Sequence, residues 1–168
     1  MKETDRSYRW QPELRRRSGS PEETADVARE LLPLLNAGES LALIGPLGAG
    51  KTTFVRALMH ALGYIRPVRS PSFTLVHRYP TDPPVVHVDL YRLKDAAELT
   101  ALNLEEEAEG ALLIVEWGER FSDAWGPPDR RLTITPLPGQ DDHPAAQPGG
   151  NDTGEFERLI VLERRLGG

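Results

Sequence analysis

Five residues in the first third of the chain have the types and the spacing needed to hold a phosphate group. They are Gly45, Gly48, Gly50, Lys51 and Thr52, and they fit the pattern G-x-x-x-x-G-K-[ST]. Glycines let the backbone curl so that consecutive N–H groups point into one concavity. A lysine supplies a full positive charge, and a threonine hydroxyl is a ligand for Mg²⁺. The pattern therefore predicts a site for a nucleoside triphosphate and Mg²⁺.

The segments on either side of this loop favour a buried strand before it and a helix after it. Leu41, Leu43 and Ile44 supply the strand, and 54–62 the helix, whose partial positive end would face the same anion. We expect Lys51 to reach the β- and γ-phosphates and Thr52 to bind Mg²⁺. The expected nucleotide contacts in this segment are Gly48, Ala49, Gly50, Lys51, Thr52 and Thr53.

Two carboxylates are placed to complete a hydrolytic site. Asp89 follows the apolar residues 85–88, and Glu116 follows the apolar run 112–115. Ligands collect at the carboxyl ends of parallel strands, so both side chains are expected beside the phosphate loop. One of them would hold Mg²⁺ or its water, although either alone could cap the next turn.

Other residues near these strands are less informative. His77 and His87 are interpreted as surface or half-buried strand histidines rather than as bases. Trp117 is either a packing aromatic or a lid or partner contact. The sequence does not indicate which arginine faces the phosphates among Arg66, Arg69, Arg92, Arg130 and Arg131. No asparagine begins an Asn-Lys-x-Asp motif, which argues against a GTPase.

The remaining periodicities predict one α/β domain at 19–168, preceded by a flexible tail at 1–18. Ser20 and Pro21 begin a helix, and 94–109 is helical in composition. Strand-like runs at 73–79 and 85–89 predict an antiparallel hairpin added to an otherwise parallel sheet. The apolar run 111–115 predicts a buried strand. Runs 131–135 and 156–162 predict a final hairpin around a mobile polar loop at 138–154.

Composition excludes several classes of protein. The chain of 168 residues has 20 Lys and Arg against 26 Asp and Glu, a net charge of −6, which disfavours direct binding of nucleic acid. It has no cysteine, so a disulfide framework or a thiolate metal site is excluded. No apolar run approaches the length of a membrane span, and the charged N-terminus does not resemble a secretory signal. We therefore expect a soluble cytoplasmic protein.

Four motifs in order resemble one family. They are 45–54 (GPLGAGKTTF), 70–76 (SPSFTLV), 87–93 (HVDLYRL) and 115–117 (VEW). In their order and spacing they resemble TsaE, formerly YjeE, the small bacterial ATPase that supports threonylcarbamoyladenosine formation in tRNA. The resemblance covers roughly residues 20–137. Residues 1–18 and 138–154 have no counterpart in it.

The resemblance implies an α/β phosphate-loop NTPase fold, with a mainly parallel central sheet, an antiparallel hairpin and helices on both faces. It implies ATP and Mg²⁺ as cofactors and TsaB and TsaD as partners, with tRNA met only through their complex and no membrane association. Lys51 and Thr52 would be the phosphate and Mg²⁺ residues, Glu116 the second Mg²⁺ ligand, and Asp89 an active-site group that positions water. Thr24 would contact the nucleotide. The segment that senses the γ-phosphate would be Ser70, Pro71, Ser72, Phe73 and Thr74.

Three activities remain open at this stage. The first is an ATPase of low intrinsic rate that depends on its partners. The second is a kinase for a nucleoside or another small molecule, which would usually need an arginine-bearing lid, whereas 138–154 contains no arginine. The third is a binding module gated by the nucleotide, in which the γ-phosphate orders 70–74 and hydrolysis is incidental.

Overall fold

A computed structural model describes residues 8–69, 71, 74–138 and 157–167, in which strands and helices are interspersed. The strands are β1 (Trp10–Ser18), β2 (Ser40–Ile44), β3 (Val76–Tyr79), β4 (Val85–Asp89), β5 (Leu112–Glu116), β6 (Arg130–Pro136) and β7 (Arg158–Arg165). The helices are α1 (Pro21–Leu31), α2 (Lys51–Ala61), α3 (Ala96–Ala101), α4 (Leu104–Glu107) and α5 (Ser122–Trp125). Short 3₁₀ segments cover Leu32–Leu34 and Gly118–Phe121.

The described strands form one seven-stranded sheet in the order β1-β7-β6-β2-β5-β4-β3. The four central strands, β6, β2, β5 and β4, are parallel to one another. The outer strands β1, β7 and β3 join by antiparallel pairing. The prediction of a mainly parallel sheet is therefore right for the centre and wrong for the whole, because antiparallel strands extend both edges.

Helices cover both faces of this sheet, as predicted. Successive side chains of a strand point to opposite faces, so the buried strands β4 and β5 contribute to two apolar clusters. One cluster contains Ile114 of β5 with Phe54 of α2 and Leu31 of α1. The other contains Val115 of β5 with Leu99 of α3. The centre of the sheet is thus buried on both faces, and polar groups in it require hydrogen-bond partners.

The expectation of a flexible tail at 1–18 is wrong for Trp10–Ser18, which forms the edge strand β1. Its backbone pairs with β7 along the whole strand, and a register shift follows Pro12. Charged side chains and proline are common on edge strands because one side of such a strand lacks a ladder partner. Leu14 and Ser18 are buried, whereas Arg16 is half exposed and pairs with Glu30 of α1. Residues 1–7 lie outside the described part of the chain.

Two other segments differ from expectation. The predicted helix at 94–109 is divided into α3 and α4, because Asn103 adopts a left-handed conformation with φ of 47°. The strand expected from 73 begins at Val76, since Leu75 has φ of 64° and cannot continue a strand. The antiparallel hairpin of β3 and β4 is confirmed, and so is the final hairpin of β6 and β7. Ser20 is confirmed as the N-cap of α1, where its side chain accepts a hydrogen bond from the Glu23 N–H.

Candidate functional site

The glycine-rich loop runs from the end of β2 to the start of α2, at the carboxyl edge of the central strands. Gly48 and Gly50 have φ of 78° and 103°, values that residues with a side chain rarely adopt. Gly45 is required for a different reason: a Cβ there would lie 2.6 Å from the carbonyl oxygen of Ile134 on β6. The glycines of the motif therefore serve both backbone conformation and the close approach of the loop to β6.

Lys51 is the first residue of α2, and its side chain folds back over the loop. Its Nζ donates hydrogen bonds to the carbonyls of Gly45, at 2.6 Å, and Pro46, at 3.1 Å. The ammonium also lies 4.0 Å from the centre of the Trp117 ring, within the range of a cation–π contact. Burial lowers the pKa of Lys51, and the nearby carboxylates Glu116, Glu119 and Asp89 oppose this effect. The ammonium therefore lies between the loop and a group of acidic side chains.

Asp89 and Glu116 meet at this edge, as their sequence positions suggested. They are the last residues of the neighbouring parallel strands β4 and β5, and they are register partners. Both are buried, with exposures of 7% and 3%. Asp89 Oδ1 accepts a hydrogen bond from the Tyr91 N–H at 2.9 Å, which fixes the turn after β4. Two carboxylates thus stand beside the lysine of the loop.

The donor set at this edge is suited to Mg²⁺. Oxygen ligands are what Mg²⁺ prefers, and it is usually held by one or two carboxylates together with substrate phosphates. The described residues contain no group of three or more His, Asp or Glu side chains able to hold a metal ion by themselves. Thr52 and Glu116, the two residues expected to bind Mg²⁺, carry oxygen donors that suit an ion held jointly with a bound phosphate.

A histidine that the sequence interpretation assigned to the surface lies inside this site. His87 of β4 is fully buried, and its Nε2 is 2.8 Å from Oε1 of Glu116. The expectation of a surface or half-buried histidine is wrong for His87 because β4 is buried on both faces. For His77, on β3, the half-buried interpretation is confirmed. Strand alternation places His87 and Asp89 on one face, which was the signal available in the sequence.

Trp117 follows Glu116 in a left-handed conformation, with φ of 62°. This turn directs the ring over Lys51 and against Tyr91, whose ring centre is 5.1 Å away. Trp117 therefore belongs to the site, and the interpretation as packing alone is too narrow. The neighbouring Glu119, absent from the sequence-based candidates, has a pKa raised by burial, while its own backbone N–H and the Lys51 charge act in the opposite direction.

Among the described residues, Arg158 contacts the loop, although it was not one of the five candidates from the sequence. Its Nε donates to the carbonyl of Ala49 at 2.9 Å, and it lies 3.3 Å from where a Cβ on Gly50 would be. Arg130 instead bonds Glu13 and Glu39 at the amino ends of the central strands, on the side of the sheet opposite the loop. Arg158 begins β7, so only the antiparallel pairing of the last two strands brings it to the loop.

Two other residues proposed for the site, Thr53 and Thr24, differ in their exposure to solvent. Thr53 is exposed on the first turn of α2. Thr24 is buried, and its hydroxyl bonds Ser18, at 2.7 Å, and the carbonyl of Ser20. Its role as a nucleotide contact stays a prediction.

In the expected γ-phosphate segment, Thr74 is exposed, and the Pro71 carbonyl accepts a hydrogen bond from the Leu75 N–H. The Leu75 carbonyl in turn accepts one from the Asp89 N–H at 3.1 Å. This segment is therefore connected to the end of β4 through its backbone. Ser70, Ser72 and Phe73 lie outside the described residues, as does the loop at 139–154.

Fold and site together define an α/β protein in which a glycine-rich strand-to-helix loop faces two strand-end carboxylates. The chain belongs to the TsaE family: the sequence model of the family described as "Threonylcarbamoyl adenosine biosynthesis protein TsaE" matches residues 18–143. The resemblance inferred from the motifs is thereby confirmed. Residues 157–167, including Arg158, lie beyond the matched part.

Individual relatives agree with the family assignment. The chain is 46% identical over 104 residues to the tRNA threonylcarbamoyladenosine biosynthesis protein TsaE of Aquifex aeolicus, covering 60% of this chain and 74% of that protein. It is 37% identical over 124 residues to the protein of the same name from Bacillus subtilis, covering 73% and 76%. The crystal structure of Bacillus subtilis YdiB matches with a TM-score of 0.63 and 28% identity, covering 94% of this chain and 86% of that one.

In the described part of the chain, none of the helices has the length and apolar character required to cross a membrane.

Proposed function

We propose that this protein hydrolyses ATP to ADP and phosphate, with Mg²⁺, to drive turnover of the TsaB–TsaD transferase complex. That complex would form threonylcarbamoyladenosine next to the anticodon of tRNA. The observation that carries the proposal is the environment of Lys51, which bonds the carbonyls of the loop and interacts electrostatically with the carboxylates Glu116 and Asp89. The names of the related proteins support the pathway.

In this proposal each group of the chain has a separate task. The backbone N–H groups of 48–53 and the start of α2 bind the phosphates, because both present partial positive charge. Lys51 exchanges its bonds to the loop carbonyls for bonds to the β- and γ-phosphates. Asp89 orients the attacking water, with its carboxylate held by the Tyr91 N–H. When bound, Mg²⁺ neutralises charge that develops on the phosphates, and Thr52 and Glu116 are the residues that would hold it.

The surroundings of the site support dependence on a partner. Leu47 of the phosphate loop is 76% exposed, and Tyr91, whose ring contacts Trp117 at a tilt, is 50% exposed. Large exposed apolar side chains near a functional site are typical of surfaces that another protein covers. For the kinase and the nucleotide-gated module, the segments that would distinguish them, 139–154 and most of 70–73, lie outside the described residues. The ATPase is therefore the function that the described residues support best.

The test is phosphate release from ATP by the full chain, with and without TsaB and TsaD. We expect a low rate alone and a large increase with the partners. Lys51→Ala should lower the stimulated rate by roughly 10²–10³-fold, the usual loss for a group that stabilises transition-state charge. Lys94→Ala is the matched control, because Lys94 is exposed before α3.

Two results would contradict the proposal. Retention of activity in Lys51→Ala would exclude the loop as the hydrolytic site, and a fast rate that the partners do not change would exclude partner dependence. Analysis of tRNA from cells depleted of the protein tests the pathway itself, since loss of threonylcarbamoyladenosine is expected there. A non-hydrolysable ATP analogue that sustained repeated cycles would instead favour the nucleotide-gated module.

A further inference from the structure

The buried pair of His87 and Glu116 is the least expected contact in the sheet. His87 is fully buried on β4, between Val86 and Val88, and its Nε2 is 2.8 Å from Oε1 of Glu116 on β5. Asp89 is the direct cross-strand partner of Glu116, and His87 lies two residues before Asp89 on the same face of β4. The imidazole therefore contacts the Glu116 carboxylate from the interior of the sheet, on the side away from the carboxyl end of β5.

The surroundings define which imidazole nitrogen carries the hydrogen. An ionised carboxylate can only accept hydrogen bonds, so Nε2 must carry the hydrogen and donate to Glu116. Nδ1 is buried and has no hydrogen-bond partner among the described residues. A hydrogen on Nδ1 as well would be a buried donor lacking an acceptor, which is costly. The environment therefore fits an imidazole that donates from Nε2 to Glu116.

Packing alone does not explain a histidine at this position. The rest of β4 before Asp89 is valine, and all of it is buried. An apolar side chain would leave no buried nitrogen without a partner, and such groups in native proteins call for an explanation. The explanation available here is the bond to Glu116, because it engages Oε1 and leaves Oε2 as the oxygen for a metal ion.

We propose that His87 is a positioning residue: its Nε2–H holds Glu116 in the orientation in which this carboxylate binds the Mg²⁺ of the bound nucleotide. This inference rests on the proposed function and adds to it a residue that contacts neither nucleotide nor metal. Side chains that hydrogen-bond a metal-binding group fix its orientation, and their loss usually lowers metal affinity about 10–100-fold.

The first test measures the Mg²⁺ gain, defined as the ratio of the dissociation constants of a fluorescent ADP analogue in EDTA and in Mg²⁺. His87→Leu should leave the EDTA value within about twofold of the wild type and lower the Mg²⁺ gain about 10-fold. His87→Gln should restore most of the gain, because the Gln amide nitrogen is as many bonds from Cβ as the His Nε2. His87→Asn should not, since its nitrogen corresponds to Nδ1.

The matched control is His77→Leu. His77 is the register partner of His87 on β3 but is only half-buried. It should keep the full Mg²⁺ gain. A merely structural role for His87 would lower affinity in EDTA and in Mg²⁺ alike, together with the melting temperature, and would not distinguish Gln from Asn.

The second test needs no nucleotide. Long-range ¹H–¹⁵N spectra of the full chain should show the hydrogen of His87 on Nε2, with the signal assigned by its loss in His87→Gln, and this pattern should change in Glu116→Ala. Unchanged Mg²⁺ gain in His87→Leu, or an Nδ1–H form, overturns this inference alone. A wild-type protein that binds the ADP analogue without any effect of Mg²⁺ overturns the proposed function and this inference with it.

Discussion

Removal of the Arg158 side chain should weaken nucleotide binding, although Arg158 is remote in sequence from every motif. Its Nε–H donates to the Ala49 carbonyl at 2.9 Å, in a partly buried contact between β7 and the phosphate loop. The same side chain lies against Gly50, the N-cap residue of α2. We therefore expect Arg158→Ala to leave the loop less ordered, and a less ordered loop binds phosphate more weakly because part of the binding energy is spent on ordering it.

The magnitude follows from the type of bond. A hydrogen bond from a charged donor contributes about 1.5–3 kcal/mol, and partial exposure reduces this to roughly 1–1.5 kcal/mol. At 1.4 kcal/mol for each factor of ten, the dissociation constant for ADP or ATP should rise by about 5–10-fold. Arg158→Lys keeps the positive charge but loses the direction of the Nε–H bond, so it should recover only part of the affinity.

The assay is titration of a fluorescent ADP analogue at fixed ionic strength. Arg164→Ala is the control on the same strand: its side chain is half exposed and pairs with Glu13 at 3.6 Å, far from the loop. It should bind like the wild type. If Arg158→Ala and Arg164→Ala bind equally well, the bond to Ala49 does not support the loop. If Arg158→Lys restores affinity fully, long-range charge is the cause.

Two further predictions concern stability. Gly45→Ala would place a Cβ 2.6 Å from a carbonyl oxygen of β6, and should lower the free energy of unfolding in urea by about 1–3 kcal/mol. Gly167→Ala, with open space around it and no positive φ, is the control, and an equal loss in the two variants would contradict the clash. For Asp129, burial by itself raises the pKa, but hydrogen bonds from Ser40 and Arg165 outweigh it and hold the pKa below its ordinary value. The ionised carboxylate therefore stabilises the fold above its ordinary pKa, and this contribution is lost as the pH falls through the lowered value. Asp129→Asn should cost about 1 kcal/mol near pH 7 and progressively less toward pH 3, and a cost independent of pH would refute the assignment.

Local signals in the sequence were enough to place the centre of the sheet and the loop. The strand–loop–helix from Ser40 to Ala61 and the strand-end carboxylates Asp89 and Glu116 are where the pattern put them. These features depend on residues close in sequence and on the rule that parallel strands share an edge. Whether nucleotide and Mg²⁺ bind there remains a proposal, although the geometry of the residues is favourable.

The features that escaped prediction depend on contacts between distant residues. β1 carries few apolar side chains, so its backbone pairing with β7 left no periodic pattern to recognise. Arg158 reaches the loop only because β7 runs antiparallel to β6, about a hundred residues after Ala49. His87 was misjudged because the hairpin of β3 and β4 suggested a half-exposed strand, whereas β4 also pairs with β5 and the face that carries His87 is covered by the apolar cluster of α1 and α2.

The position of Lys51 links the loop to the exposed surface through Trp117. The ammonium is held by two loop carbonyls and by the Trp117 ring, and that ring contacts Tyr91, which is half exposed. Under the proposed function, a bound triphosphate draws the ammonium away from the carbonyls and from the ring, because a phosphate attracts it more strongly than a carbonyl dipole or an aromatic face. Trp117 then loses one of its contacts, and its packing against the half-exposed Tyr91 changes with it. A partner that touches Tyr91 and Leu47 would therefore meet a different surface before and after hydrolysis, which is the requirement for a nucleotide to control a complex.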